Sequence, residues 1–183
     1  MNKKAIATRE KLIQAANQVL LEAGIIQLTL ESVAAAAGVS KGGLLYHFPS
    51  KDSLIEAMIA YYLDHFEAHV DQLMAAEKYT DTRSWFRAFV RATFEADPRE
   101  NAISAGLLAA IAVNPKLLHP MRERYAVWQA RLEDGTVDPL MATLLRLTMD
   151  GLWVSDLLGL SPPGDARRTE LQERVMELVN SLS

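Results

Sequence analysis

The segment between Leu30 and Leu54, LESVAAAAGVSKGGLLYHFPSKDSL, constrains the fold more than any other part of the chain. Its first eight residues predict a short helix, whose alanines would let another helix approach closely. Gly38 permits a tight turn, and Ser40 is a candidate N-cap for a second short helix. Two short helices joined by a turn of about four residues that contains glycine indicate a helix-turn-helix.

The second of these helices has an apolar side and a polar side. Leu44 and Phe48 are four residues apart, so we expect both to face the protein core. The remaining side chains would face solvent, where the major groove of DNA would lie. Gly42 and Gly43 each weaken a helix by about 1 kcal/mol relative to alanine. We expect them to be useful because they let the backbone approach DNA closely.

The chemistry of the solvent-facing residues suits DNA. Lys41 and Lys51 can neutralise phosphates, hydroxyl groups can donate to phosphate oxygens, and Leu45 can contact a thymine methyl. Thr29 and Ser40 have the alternative role of helix caps alone. The predicted DNA-contacting residues are Thr29, Ser40, Lys41, Gly42, Leu45, Tyr46, His47 and Lys51.

Apolar residues recur at helical spacing almost throughout the chain, and no convincing strand alternation is present. Residues typical of helix ends are also present. Gly24 is a candidate C-cap, and Asn114-Pro115 and Asp138-Pro139 each place a capping side chain before a proline. We therefore predict an all-α fold. Its nine helices lie near residues 5–23, 30–37, 41–48, 51–76, 82–96, 99–113, 115–133 (kinked or split at Pro120), 139–159 and 165–181.

The composition bears on the cellular compartment of the protein and on the kind of partner it binds. The 183 residues include no cysteine, which excludes disulfides and thiolate chemistry and favours a reducing cytoplasm. The longest nearly apolar run, 103–113, is much shorter than the roughly 20 residues of a membrane-spanning helix. Residues 1–51 carry six basic and three acidic side chains, whereas the remainder carries 13 basic and 20 acidic ones. A basic head on an acidic body suits an end that faces a polyanion.

The spacing from Gly38 to Leu54 closely resembles the head of the TetR family of bacterial one-component regulators. The family pattern is roughly G-V-S-x-G-x-L-Y-x-H/Y-F-x-S/N-K-x-x-L. The matching residues are Gly38, Val39, Ser40, Gly42, Leu44, His47, Phe48, Ser50, Lys51 and Leu54. The resemblance covers about the first 55 residues. One departure is that Leu45 replaces the family's tyrosine, while Tyr46 follows one place later, so that tyrosine's phosphate contact is shifted or absent.

The resemblance implies a homodimeric regulator that binds a palindromic double-stranded operator and is released by a small-molecule effector. Residues 1–50 would form the DNA-binding domain, and residues 51–183 the ligand-sensing and dimerisation domain. Two-fold symmetry would let two heads meet successive major grooves, roughly 34–36 Å apart. Activation instead of repression, and more than one dimer per operator, remain open.

The last two predicted helices carry apolar stripes that suit a subunit interface, and two such helices from each subunit could form a four-helix bundle. The alternative is that both stripes pack within one subunit. The stripe of helix 139–159 is Leu140, Leu144, Leu147, Gly151, Ser155 and Leu158. The stripe of helix 165–181 is Leu171, Val175, Leu178 and Leu182.

An effector cavity would be mostly apolar with a few polar groups. Asp150 lies in an apolar helix, and a buried carboxylate there would need a partner such as Arg146 or a cationic effector. The aromatic content favours a flat or aromatic effector, although each residue has core packing as its alternative. The candidates are Tyr62, His65, Phe66, His69, Trp85, Phe89, Thr93, Ser104, Met121, Tyr125, Trp128, Asp150 and Trp153.

The sequence supports a catalytic or metal-binding function less well than DNA binding. His65 and His69 have a spacing that can hold a metal, but Phe66 stands where metalloproteases with this spacing have glutamate. We find no phosphate-binding glycine loop, no nucleophile elbow and no complete ligand set, and therefore expect no metal, no cofactor and no enzymatic activity. A helical adaptor that binds another protein through the same stripes is the remaining alternative.

Overall fold

The computed structural model describes residues 3–76, 80–134 and 136–182, with side chains from residue 5 onward. All regular structure in these ranges is helical, which confirms the predicted all-α class. The helices are α1 Lys3–Gln27, α2 Leu30–Ala37, α3 Lys41–His47, α4 Lys51–Met74, α5 Thr82–Phe94, α6 Pro98–Val113, a 3-10 turn Pro115–Leu118, α7 His119–Leu132, α8 Pro139–Leu158 and α9 Asp165–Asn180.

The first helix runs further than predicted, whereas the seventh is split as predicted. The first was expected to end near residue 23, but the chain kinks at Gly24 (φ 78°, ψ 174°) and then stays helical to Gln27. The seventh divides into the 3-10 turn and α7, with the division one residue before Pro120. Proline is tolerated there because the N–H groups in the first turn of a helix have no helical acceptor.

Short-range hydrogen bonds explain where the head helices begin. The Thr29 hydroxyl accepts from the Ser32 backbone N–H at 3.0 Å, and the Ser32 hydroxyl accepts from the Thr29 backbone N–H. Together the two bonds form a capping box. Ser40 accepts from Gly43 N–H at 3.1 Å, and Gly38 ends α2 in the left-handed conformation at φ 64°. These bonds set the start of α2, the turn after it and the start of α3 at the positions predicted from the sequence.

The chain divides into two compact units. The first comprises Met1–Leu63 and Ala102–Arg122, so it joins the three head helices to the start of α4, most of α6, the 3-10 turn and the first residues of α7. Its apolar core includes Leu12, Ile13, Leu44, Leu107 and Leu117, with side chains that are at most 4% exposed.

The second unit comprises Asp64–Asn101 and Glu123–Ser183. Helix α5 is its most buried element, and it packs against α9 and α8. The guanidinium of Arg83 on α5 donates to the carbonyl of Leu182, which ties α5 to the end of α9. Across the described ranges, no helix is both long enough and apolar enough to span a bilayer.

Candidate DNA-binding face and effector site

Helix α3 buries one face and exposes the other. Leu44 is fully buried and Phe48 is 2% exposed, which confirms their expected inward direction. On the opposite side Tyr46 is 83% exposed and Leu45 is 37% exposed. At Gly42 an added Cβ would meet no atom within 4 Å, so packing does not require glycine there. The exposed face therefore has an open backbone at its start, with one aliphatic and one phenolic side chain further along.

The charged residues of this face have partners of their own. Lys41 pairs with Glu31 of α2 at 2.5 Å, and both side chains are exposed. The hydrogen bond from Lys41 lowers the pKa of the Glu31 carboxyl below its usual value. Lys51 is half-buried and donates from Nζ to the Ile25 carbonyl at 3.1 Å. His47 is half-buried, with its ring edge against Tyr46 at 5.2 Å.

Sequence reasoning missed two residues that contact α3 or the residue that directly follows it. The Arg9 guanidinium lies over the Phe48 ring, 5.3 Å from its centroid. Glu31 forms an ion pair with the ammonium of Lys41. Neither has a local signal, because Arg9 and Glu31 lie 39 and 10 residues from their partners by residue number. Packing alone brings them to α3.

The second unit contains an aromatic cluster. Its neighbouring ring centroids lie 4.9–5.5 Å apart in tilted or edge-to-face arrangements that favour aromatic pairs. Trp85, Phe89 and Trp128 are each at most 4% exposed. The members, all among the predicted effector residues, are Phe66, Trp85, Phe89, Tyr125 and Trp128.

One edge of this aromatic cluster carries Asp150. The Tyr125 hydroxyl donates to one carboxylate oxygen at 3.1 Å, and Arg146 donates to the other at 2.5 Å. Arg146 also donates from Nε to Gln129 at 2.9 Å. Burial raises the pKa of Asp150, although Arg146 and Tyr125 oppose the shift. Burial, followed by the charge of Asp150, raises the pKa of the Tyr125 phenol. The carboxylate is thus half-buried and paired with Arg146, one of the two partners that the sequence suggested.

A second carboxylate, which the sequence did not reveal, contacts the same aromatic cluster. Trp128 donates from its indole Nε1 to Glu67 at 2.9 Å. Arg124 donates to the other oxygen of Glu67 and, at 2.6 Å, to Asp64. Glu67 directly follows Phe66 in α4, but helical spacing did not distinguish it from an ordinary surface glutamate.

The other predicted effector residues are not members of this cluster, although Thr93 donates from its hydroxyl to the Phe89 carbonyl at 2.9 Å. Tyr62 belongs to the first unit, where it packs against the apolar core. His65 is exposed and His69 is half-buried, and they face Glu100 at 3.8 Å and Glu95 at 2.9 Å. Within the described parts of the chain, no three His, Cys, Asp or Glu side chains are arranged to hold a metal ion. The remaining candidates are Thr93, which is buried, and Ser104, Met121 and Trp153, which are half-buried.

The stripe of helix α8 is exposed along most of its length. Leu140 is 80% exposed, and Leu144, Leu147 and Leu158 are 52–55% exposed. On α9, Leu171 and Leu178 are exposed at 39% and 37%. The other two residues of the predicted stripe are Val175 on α9 and Leu182, which lies beyond the end of α9. Both are buried within the unit and therefore stabilise a single subunit.

Known proteins resemble this chain over both parts. The family model of tetR-family bacterial regulatory proteins matches residues 12–58, and the model of the tetracyclin repressor-like C-terminal domain matches residues 83–180. The HTH-type transcriptional regulator BetI of Yersinia pestis (strain Pestoides F) is 32% identical over 87 residues, which cover 48% of this chain and 44% of BetI. The match thus spans less than half of BetI.

A longer match is to the HTH-type transcriptional repressor KstR2 of Rhodococcus jostii (strain RHA1), 29% identical over 149 residues that cover 81% of this chain and 69% of KstR2. Among solved structures, the multidrug binding protein EbrR complexed with ethidium aligns with a TM-score of 0.66 and 26% identity. That alignment covers 92% of this chain and 98% of EbrR. Because the C-terminal model alone covers more than half of the residues, the chain belongs to the TetR family of DNA-binding transcriptional regulators.

Proposed function

We propose that this regulator is a homodimeric repressor that binds a palindromic operator and is released by an organic effector. The observation that carries the proposal is the pairing of an exposed recognition face on α3 with a separate aromatic cluster that has carboxylates at its edge. The similarity to KstR2, a transcriptional repressor, supports repression over activation. Since its DNA target would be chromosomal, the protein would act in the cytoplasm.

The exposed face of α3 supports the DNA-contacting set predicted from the sequence. Tyr46 and Leu45 would lie in the major groove, where an aromatic hydroxyl can donate to DNA and a leucine can contact a thymine methyl. Lys41 would leave Glu31 for a phosphate. Lys51 has three N–H donors, of which Ile25 uses one, so two remain for phosphate. Thr29, Ser40, Gly42 and His47 complete the set, with the backbone at Gly42 approaching DNA.

The exposed leucines of α8 support dimerisation. Leu140, Leu144, Leu147 and Leu158 follow the three- and four-residue steps of a helix-packing stripe, with Gly151 between them. A monomer rarely leaves such a continuous apolar strip in water. Leu171 and Leu178 of α9 would extend the same contact, which gives a four-helix interface between two subunits.

The aromatic cluster supports an effector that is flat and cationic. Asp64, Glu67 and Arg124 carry a net charge of −1, whereas Asp150 and Arg146 cancel. A cation would therefore neutralise this edge, and an anion would add to its charge. The rings also accept cations, since Arg131 lies 5.0 Å from Trp85 and Arg146 lies 5.7 Å from Tyr125. EbrR, which binds the planar cation ethidium, supports the same class.

Release requires the effector to bind one arrangement of the two heads more tightly than the other. Effector binding that tilts α4 would change the spacing of the heads and weaken their simultaneous contact with the operator. The family resemblance supports this route, because α4 follows directly on the recognition helix.

The test begins with selection of genomic DNA fragments by the purified protein, followed by fluorescence anisotropy across a salt series. We expect one palindromic fragment to bind with two subunits per site, and its affinity to fall steeply as salt rises. Ethidium should then release that fragment. Failure of genome-wide selection to enrich any fragment over random DNA would overturn the proposal.

A further inference from the structure

The segment 102–122 lies within the predicted ligand-sensing domain, yet it forms one compact unit with the DNA-binding head. Leu107, Ile111 and Leu117 belong to the same apolar core as the head helices. Helix α6 also lies very close to α1, because a methyl group added at Gly106 would be 2.9 Å from Leu20. The segment is thus a structural part of the head.

A hydrogen bond connects the end of this segment to the start of α4. Asn114 donates from Nδ2 to the Asp52 carboxylate at 2.9 Å. Its Oδ1 meanwhile caps the following 3-10 turn by accepting from Lys116 N–H at 3.3 Å. The side chain therefore has two functions, a local cap and a link to a residue 62 positions away.

The start of α4 is also tied to α1. Lys51, which precedes Asp52, donates to the Ile25 carbonyl beyond the Gly24 kink. The recognition helix α3 ends at His47, so three residues separate it from this doubly held point. One of the three, Phe48, is buried in the core. Such a short connection leaves α3 little freedom to move independently of the first turn of α4.

We propose that Asn114 is a positioning residue for DNA recognition, which sets the orientation of α3 through its hydrogen bond to Asp52. The inference rests on the proposed function, because its consequence is seen when two heads must fit one operator. A head whose α3 is less firmly held can adjust to a single half-site. Its binding free energy is reduced more when the partner head must contact a second half-site at fixed spacing.

The variant Asn114→Asp separates the two functions of the side chain. Aspartate is as good a cap as asparagine, so the 3-10 turn keeps its acceptor. The link is lost, because two carboxylates would then face each other. Adding Asp52→Asn restores one donor and one acceptor with the direction of the bond reversed. Asp52→Asn alone serves as the control for loss of the helix N-terminal charge.

The experiment uses the full-length protein and the operator obtained by genomic selection. Affinity is measured for that operator, for versions lengthened by one or two base pairs between half-sites, and for a single half-site. We expect Asn114→Asp to bind the native operator about three- to tenfold more weakly, the range for one hydrogen bond. Its half-site affinity and melting temperature should be nearly unchanged, its spacing preference flatter, and the double variant close to wild type.

Two results would overturn the inference. An unchanged spacing preference in Asn114→Asp would show that the bond does not orient α3. Equal losses for operator and half-site, accompanied by a lower melting temperature and no rescue, would show a merely structural role. If the wild-type protein itself has no spacing preference, the two-headed mode of the proposed function fails instead.

Discussion

The indole of Trp128 donates its N–H to the carboxylate of Glu67 at 2.9 Å, across 61 positions of sequence. Trp128 is 4% exposed, whereas the Glu67 side chain is 37% exposed. The pair thus joins the interior of the aromatic cluster to its solvent edge. A ligand that reaches Glu67 would alter the environment of a buried indole, which makes tryptophan fluorescence a direct reporter of binding.

We expect Glu67→Gln to weaken the binding of ethidium about tenfold, equivalent to about 1.4 kcal/mol. Glutamine can still accept from Trp128, but it lacks the charge that attracts a cation. The dissociation constant is measured by titration with ethidium fluorescence and tryptophan quenching. Asp71→Asn, at an exposed position of the same helix, is the matched charge control. Equal weakening by both variants would argue against a site at Glu67.

Leu147→Glu should dissociate the dimer while leaving the subunit folded. The side chain is 54% exposed in one subunit, so the change costs little there, whereas two copies would place unpaired charges within the interface. We expect the dimer dissociation constant to rise at least about tenfold in sedimentation equilibrium. Val127→Glu on α7, which is 62% exposed, should leave association unchanged. An intact dimer in Leu147→Glu would exclude this stripe as the interface.

Glu31→Gln should strengthen operator binding, because Lys41 would no longer exchange an ion pair for a phosphate. Exposed ion pairs contribute little to folding, so the melting temperature should change little. We expect about two- to fivefold tighter binding at low salt and a smaller difference at high salt, where charges are screened. Glu173→Gln in α9 makes the same change in net charge. If it tightens binding equally, the effect belongs to net charge and not to Lys41.

Asp150 should give the protein a recognisable pH dependence. Burial raises its folded-state pKa, so the folded protein holds this proton more tightly than the unfolded chain does. The resulting stability is present at low pH and is lost as pH rises through the folded pKa. Relative to Asp150→Asn, the wild type should therefore gain unfolding free energy as pH falls from 7 towards 4. Urea denaturation at both pH values measures this difference, and a shift in the opposite direction would contradict the role of burial.

The family assignment was recoverable from the sequence because its signals are local. Thr29 and Ser40 cap helices through atoms three residues away, and Gly38 supplies the left-handed turn between them. Leu44 and Phe48 share a face because helical periodicity repeats within one turn. Such features depend on backbone geometry over a few residues, so a single sequence contains all the information they need.

Tertiary packing determined the side-chain contacts on which our proposals depend. Asn114 meets Asp52 across 62 positions, and Trp128 meets Glu67 across 61. Segment 102–122 joins the head although the sequence places it among the sensing helices. Periodicity indicates which face of a helix is buried, but it does not identify the helix that covers it. That choice depends on the shapes of all the packed side chains together, and so only the folded chain determines it.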